Sequence, residues 1–241
     1  MRYLFPRSTC PRSLRLAPVA VFALAVALAG CSHPAPEARE PTADDPRPAP
    51  SAPASLVNDH RKVLIVFGDS ISAGYGVAAG QSFPDDLQKK LDDAGYSYRV
   101  VNQGISGDTT EEGVARIDSA TSLHPAIVVL ELGGNDGLRG MPVADTRANL
   151  DKMIVAFKKA GAKVVLAGMT LPPNYGPDYV RQFQKIYTDL AAEHKLVLIP
   201  FLLSDIVTKD LRYLQRDGIH PTAQGAEIVS GTVLKALKPL L

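Results

Sequence analysis

Residues 62–70 read Lys-Val-Leu-Ile-Val-Phe-Gly-Asp-Ser, an apolar, β-rich run that ends in a glycine and two polar residues. Similar short runs follow at residues 99–102, 127–132, 163–168 and 197–200. A short, continuous apolar run is typical of a strand that is covered on both faces, as in a parallel sheet. The run at 62–67 is therefore predicted to be the first of five buried strands.

Helical patterns separate these runs. They cover residues 85–94, 109–119, 145–160, 178–194 and 223–237. The first begins behind Pro84 and stops at Gly95, which are typical start and stop residues of a helix. Strands that alternate with helices, joined by right-handed crossovers, predict one three-layer α/β/α domain with a five-stranded parallel sheet, here at residues 60–241.

Ser70, Gly107 and Asn135 each lie a few residues beyond the end of one of the first three predicted strands. In open α/β sheets, ligands bind beyond the carboxyl ends of the strands, at the point where the strand order reverses. The sequence therefore predicts that the three residues meet in one crevice.

Four short segments carry groups that suit acyl transfer to water. Residues 68–74 offer a serine, residues 217–220 offer an aspartate and a histidine, and residues 105–109 and 133–136 are glycine-rich turns with backbone N–H groups and one side-chain amide. A nucleophile, a base, a residue that orients the base and oxyanion donors are what this reaction needs. Each segment alone also fits a plain turn or a helix cap. The four together favour an esterase-type hydrolase.

The four segments resemble the blocks of the GDSL, or SGNH, hydrolase family, and the resemblance covers roughly residues 62–241. The longer stretches 102–110, 131–140 and 171–176 make the chain most similar to bacterial arylesterases, acyl-thioesterases and lysophospholipases. The resemblance implies a flavodoxin-like fold and no cofactor. Where the family name has a leucine after the serine, this chain has Ile71, an apolar exchange that leaves the chemistry unaffected.

Residue by residue, the resemblance implies that Ser70 is the nucleophile, that His220 is the general base and then the general acid, and that Asp217 orients His220. It implies an oxyanion hole made of the backbone N–H groups of Ser70 and Gly107 and the side-chain amide of Asn135. No group of His and Cys residues has the spacing of metal ligands, so no metal is expected.

The leading functional hypothesis is a serine esterase that acts on small-molecule or lipid esters, or thioesters, of acyl chains through an acyl-enzyme. Two alternatives stay open: a carbohydrate O-acetylesterase acting on envelope glycans, and a non-catalytic binding lipoprotein. The apolar loops 169–175 and 201–203 follow predicted strands, and they either line an acyl groove or continue the core.

The N-terminus predicts export. Four arginines without acidic residues precede an apolar stretch at residues 17–29, which is shorter than the roughly 20 residues needed to span a bilayer. Leu28-Ala29-Gly30-Cys31 resembles the bacterial lipobox, although an ordinary signal peptide with a chance cysteine would look the same. The resemblance implies a signal peptide at residues 1–30, lipid on Cys31 and a Gram-negative envelope location. Ser32, rather than an aspartate, follows the cysteine, and this favours the outer membrane as the location of the protein.

Residues 31–59 have the composition of a tether, with seven prolines between residues 32 and 56 among alanine, serine and acidic residues. Such a segment buries too little apolar surface to fold, so we predict that it is disordered. The chain as a whole has 26 Lys and Arg against 25 Asp and Glu, a net charge of +1. Without a basic patch, nucleic acid is not an expected partner, and we expect a monomer.

Overall fold

The computed structural model of the protein describes residues 59–241. A parallel sheet is formed by five strands: β1 (Lys62–Gly68), β2 (Tyr98–Gly104), β3 (Ile127–Glu131), β4 (Lys163–Ala167) and β5 (Val197–Ile199). Their order is β2-β1-β3-β4-β5, which is the flavodoxin-like order. The predicted five-stranded parallel sheet is confirmed. The predicted signal peptide, the lipid attachment at Cys31 and nearly all of the predicted tether lie outside the described residues.

Helices cover both faces of the sheet. On one face α2 packs against β2 and α9, and on the other α6 packs against β4, α3 and α7. The bounds are α1 (Ser70–Ala73), α2 (Phe83–Asp93), α3 (Thr110–Ala115), α4 (Ile117–Thr121), α5 (Gly134–Leu138), α6 (Val143–Lys159), α7 (Pro177–His194), α8 (Ser204–Val207) and α9 (Ala223–Leu237). No helix among residues 59–241 is both long enough and apolar enough to cross a membrane.

The core lies on both faces of β1 and β3. Residues 64–67 and every residue of β3 are buried. Phe67 meets Phe157 of α6 edge to face, with 5.3 Å between ring centroids. Burying each large apolar side chain contributes about 1.5–3 kcal/mol relative to leaving it exposed. This buried pair of central strands gives the site a fixed base.

Two helix predictions differ from the structure. The helix predicted at 85–94 begins earlier, because Ser82 and Asp85 form a capping box at its start. The helix predicted at 109–119 is two helices that meet at Arg116, whose φ of −110° and ψ of 9° leave the helical region. The short helices α1, α5 and α8 were not predicted, because four or five residues are too few to show a helical period.

The ends of the three central strands lie side by side. In the sheet register Gly68 of β1 pairs with Gly104 of β2 and with Glu131 of β3. The turns that follow these residues therefore start from the same edge of the sheet. The point where the strand order reverses is thus the place at which the predicted site residues meet.

Candidate active site

A hydrogen-bonded chain joins three of the predicted residues. Ser70 Oγ lies 2.7 Å from His220 Nε2, and His220 Nδ1 lies 2.7 Å from Asp217 Oδ2. Ser70 and His220 are 150 positions apart in the sequence, so only the fold brings them together. A hydroxyl next to an imidazole whose far nitrogen is held by a carboxylate has the arrangement of a nucleophile, a base and its orienting group.

The turn that presents Ser70 is set by its neighbours. Asp69 caps α1, with Oδ1 accepting a hydrogen bond from Ile71 N at 3.0 Å, and Ser70 is the first residue of that helix. A Cβ atom at Gly68 would overlap with Glu131 Oε2 and Ser72 Oγ. Only glycine fits there, so the strand approaches β3 closely before the chain turns to Ser70.

The turn from Asp217 to His220 is held largely by its own atoms. Asp217 Oδ1 accepts hydrogen bonds from the N–H groups of Ile219 and His220 at 2.9 and 3.0 Å, while Oδ2 accepts from the imidazole. Partial burial raises the pKa of Asp217, but these three hydrogen bonds outweigh it and hold that pKa below its ordinary value. The carboxylate therefore stays ionised and aligned with the ring. The Tyr75 ring covers the imidazole, with 4.6 Å between centroids.

Asn135 and Gly107 lie beside this chain of groups. Asn135 Nδ2 donates to the Asp108 carbonyl at 2.9 Å and, over a longer 3.3 Å, to Asp69 Oδ2. Gly107 has a φ of +91°, which favours glycine. Within residues 59–241, the backbone N–H groups of Gly107 and Ser70 donate to no other protein group. Two free N–H groups and an amide in one crevice are donors of the kind that stabilise an oxyanion.

Two arginines fix the loop that holds Gly107. Arg116 Nε donates to the Asp108 carboxylate at 2.6 Å, and its two other nitrogens donate to the carbonyls of Gln103 and Gly68, both at 2.9 Å. Arg139 donates to the Gly107 carbonyl at 2.9 Å. The loop is therefore tied both to the ends of β1 and β2 and to the segment that carries Asn135.

Two buried carboxyl groups lie under the crevice, at Asp69 and Glu131. Glu131 Oε2 accepts hydrogen bonds from the Asp69 and Ser72 N–H groups at 3.2 and 3.3 Å and from the Ser72 hydroxyl. Burial raises the pKa of Asp69 to about 6, against the effect of its hydrogen bonds with Ile71 and Glu131. Burial, and then the charge of Asp69, raise the pKa of Glu131 well above its ordinary value.

The structure thus gathers every residue that the sequence singled out for chemistry, namely Ser70, Asp217, His220, Gly107 and Asn135. It adds Glu131, Arg116 and Tyr75, which were given no role. An acid at the end of an otherwise apolar strand was a signal for Glu131 that could have been followed. Arg116 and Tyr75 have no signal in the sequence, because their roles depend on contacts across the fold.

The apolar loops 169–175 and 201–203 divide between core and surface, and residues 172–174 are exposed. Met169, Leu171, Leu202 and Leu203 are buried, so the alternative that these loops continue the core holds for these four side chains. Within the part of the chain that the structure describes, no group of three or more His, Cys, Asp or Glu side chains is placed to hold a metal ion.

Comparison with known proteins places the chain among hydrolases. A sequence model of the GDSL-like lipase/acylhydrolase family matches residues 66–228. Esterase TesA of Pseudomonas aeruginosa is 46% identical over 181 residues, which cover 75% of this chain and 90% of that protein. Thioesterase 1/protease 1/lysophospholipase L1 of Escherichia coli is 38% identical over 179 residues, covering 74% of this chain and 84% of that protein.

A solved structure agrees with these sequence matches. The psychrotrophic esterase EstA from a Pseudoalteromonas species, inhibited by monoethylphosphonate, is 30% identical with a TM-score of 0.70, over 74% of this chain and 97% of that one. The likeness therefore extends over nearly the whole of the solved chain.

Proposed function

Because the chain belongs to the GDSL-like lipase/acylhydrolase family, we propose that it hydrolyses carboxylic esters or thioesters of acyl chains with Ser70 as the nucleophile. The observation that carries the proposal is the hydrogen-bonded chain from Ser70 through His220 to Asp217 at the edge of the sheet. The names of the relatives, esterase and thioesterase/lysophospholipase, support ester-bond cleavage as the reaction.

In the first half of the reaction, His220 Nε2 takes the proton of the Ser70 hydroxyl while Oγ attacks the acyl carbon. The carbonyl π bond opens, and its electron pair moves to the oxygen. When the tetrahedral intermediate collapses, the bond to the leaving oxygen or sulfur breaks and His220 gives its proton to that atom. Asp217 keeps the ring oriented and stabilises the imidazolium. The products of this half are an alcohol or thiol and an acyl-Ser70 enzyme.

In the second half, a water molecule acts as the nucleophile in place of the Ser70 hydroxyl. His220 takes a proton from the water while the water oxygen attacks the acyl carbon. When the second intermediate collapses, the bond between the acyl carbon and Ser70 Oγ breaks, His220 returns the proton to Oγ, and a carboxylic acid leaves. The negative oxygen of both intermediates accepts hydrogen bonds from the N–H groups of Ser70 and Gly107 and from Asn135 Nδ2. Asn135 Nδ2 lies 3.3 Å from Asp69 Oδ2, and the hydrogen of this longer bond is the one that can turn to the negative oxygen. One such donor is worth roughly 3–4 kcal/mol of barrier.

The proposed mechanism is tested by covalent labelling. A fluorophosphonate or alkyl phosphonate probe should modify the protein once, at Ser70, and Ser70→Ala should abolish both labelling and ester hydrolysis while the protein stays folded. Ser119→Ala, on the surface, is the matched control and should label normally. Because the proposed steps use no metal, EDTA should leave the rate unchanged. Labelling at another serine, or hydrolysis retained in Ser70→Ala, would refute the assignment.

The substrate class is tested with a panel. We propose acyl esters or thioesters rather than acetylated carbohydrates, on the strength of the relatives. Rates on p-nitrophenyl esters of increasing chain length should be compared with rates on an acyl-CoA, a lysophospholipid and an acetylated xylan. Preference for the xylan would instead support the carbohydrate O-acetylesterase alternative.

We also propose that the enzyme is a monomer anchored in the bacterial envelope by lipid on Cys31. The basic leader, the short apolar stretch and the lipobox-like residues 28–31 support the anchor, and the proline-rich residues 32–56 support a tether. Cys31→Ser should leave the enzyme active but move it from the membrane fraction to the soluble one. A mature N-terminus without lipid in mass spectra of the wild type would contradict the anchor.

A further inference from the structure

Arg116 is a largely buried cation to which the proposed reaction gives no part. Its side chain is 16% exposed, and its guanidinium carbon lies 3.9 Å from the centre of the buried Phe67 ring. A cation within about 6 Å of a ring face is attracted to that face. Burying a charge is costly unless it is paired and hydrogen-bonded. The partners of Arg116 therefore show which parts of the fold this cation holds together.

The three partners of the guanidinium group lie at the two ends of the loop 104–108 and at the end of β1. Before the loop, Nη1 donates to the Gln103 carbonyl of β2 at 2.9 Å. At the other end, Nε donates at 2.6 Å to the Asp108 carboxylate, whose side chain is only 11% exposed. Nη2 donates at 2.9 Å to the carbonyl of Gly68, the last residue of β1. Arg116 thus joins two strand ends and the loop that follows one of them.

These contacts lie next to each of the three proposed oxyanion donors. Asp108, whose carboxylate the guanidinium holds, also offers its carbonyl to Asn135 Nδ2 at 2.9 Å. Gly107, with its N–H group, directly precedes Asp108 in the chain. Ser70 lies two residues beyond the Gly68 carbonyl. One side chain therefore fixes groups that neighbour all three donors, although they come from three different segments of the chain.

We propose that Arg116 is a positioning residue that sets the geometry of the oxyanion hole. It acts through its three acceptors and makes no contact with the substrate in this role. The inference rests on the proposed function of Ser70 as a nucleophile. The guanidinium group is suited to this role because it presents five N–H donors in a rigid, planar fork. Lysine keeps the charge, but its ammonium group is a point charge that does not reproduce the fork.

The first experiment measures kcat and KM for the full-length wild type, Arg116→Lys, Arg116→Met and the control Arg147→Met. Arg147 pairs with Glu193 on the surface, outside the site, so its exchange should leave both constants unchanged. Both Arg116 exchanges should lower kcat by about 10–100-fold and change KM by less than about threefold, because misplaced donors weaken contacts made in the transition state. Full kcat in Arg116→Lys, or a loss in KM alone, would overturn the proposal.

A double-mutant cycle with Asn135→Ala separates positioning of the donors from a general loss of structure. If Arg116 acts through the oxyanion hole, one of the donors that it positions is already missing in Asn135→Ala. The loss of kcat caused by Arg116→Met should then be at least about threefold smaller in that background than in the wild type. Equal losses in the two backgrounds would place the action of Arg116 elsewhere and refute the proposal.

Nuclear magnetic resonance tests the contacts without any need for activity. Three fixed acceptors should slow the rotation of the Arg116 guanidinium group, so that its two Nη groups give separate signals in the wild type. A single averaged signal would refute the proposal even if both Arg116 variants failed to fold. The Asn135 side-chain amide signals should shift in Arg116→Lys but not in Arg147→Met, and unshifted signals in both would also refute it. If Ser70→Ala stayed active while these shifts were seen, the proposed function would fail but the positioning of Asn135 would stand.

Discussion

The two sides of the candidate site are built differently. On the nucleophile side, Ser70 sits between strand ends, above carboxyl groups at Asp69 and Glu131 that are almost wholly buried. On the base side, His220 and Asp217 share an exposed turn, and the Asp217 side chain is 36% exposed. Asp217 binds two N–H groups and the imidazole, all within four residues.

This difference separates two ways of holding a reactive group. The nucleophile side is positioned by the sheet, through partners distant in sequence such as Glu131 and Asn135, so a change there disturbs fold and chemistry together. The base side is positioned by a local turn, anchored by the hydrogen bond from Gln215 N to the His220 carbonyl at 2.8 Å. A change there should remove chemistry while leaving the fold almost intact.

The largest expected effect is on the base side. His220→Ala should lower kcat by about 10⁴-fold or more, because members of a catalytic unit lose nearly all activity singly. Its free energy of unfolding should fall by only about 1 kcal/mol, the typical cost of a single substitution. The control is His194→Ala, a histidine that binds Asp151 on α6 and should retain full activity. Large destabilisation of His220→Ala in urea would erase the contrast between the two sides.

The next effect tests the nucleophile side. Asn135→Ala should lower kcat by about 10²–10³-fold with a smaller change in KM, because the amide acts mainly in the transition state. It should also lose about 1–3 kcal/mol of stability, since the Asp108 carbonyl is left without its donor. Asn149→Ala, which removes an amide bonded to Thr110 Oγ1, is the matched control. It should cost stability but spare kcat.

The sequence predicted these two sides unequally. The apolar runs and helix periods predicted the sheet and the main helices, and the Asp217 to His220 pair is local enough to be recognised directly. The roles of Glu131 and Arg116 depend on neighbours 48 to 62 positions away in the sequence, namely Asp69, Ser72 and Gly68. The hydrophobic periodicity of the sequence does not predict such contacts, because they form only when the ends of different strands meet in the fold. The break between α3 and α4 at Arg116 escaped prediction for the same reason.

Opposite pH effects are expected from the two aspartates. Asp69 has a pKa raised by burial to about 6, so the folded state binds its proton more tightly. Its contribution to stability is largest below about pH 4 and falls as the pH rises to 6, by on the order of 3 kcal/mol. Asp217 has a lowered pKa, so its contribution is present above about pH 4 and is lost as the pH falls through that lowered value.

Unfolding titrations between pH 3 and 8 check this pair. In Asp69→Asn the free energy of unfolding should no longer fall between about pH 4 and 6. In Asp217→Asn only the fall in this free energy below about pH 4 should become smaller. If both variants changed the free energy of unfolding over the same pH range, the two carboxyl groups would share one environment, and the proposed difference between the two sides of the site would be wrong.

The smallest expected effect concerns Tyr75, whose ring packs against the general base His220. The Tyr75 ring lies against the imidazole of His220, although the residue as a whole is 54% exposed. Aromatic pairs contribute about 0.5–1.5 kcal/mol beyond their buried area, so Tyr75→Ala should lower kcat/KM by about 2–12-fold. Tyr75→Phe keeps the ring and should stay near wild type. Because Tyr75 lies on the exposed side, neither change should shift the midpoint of unfolding noticeably. An equal loss in both variants would mean that the hydroxyl, and not the ring, supports His220.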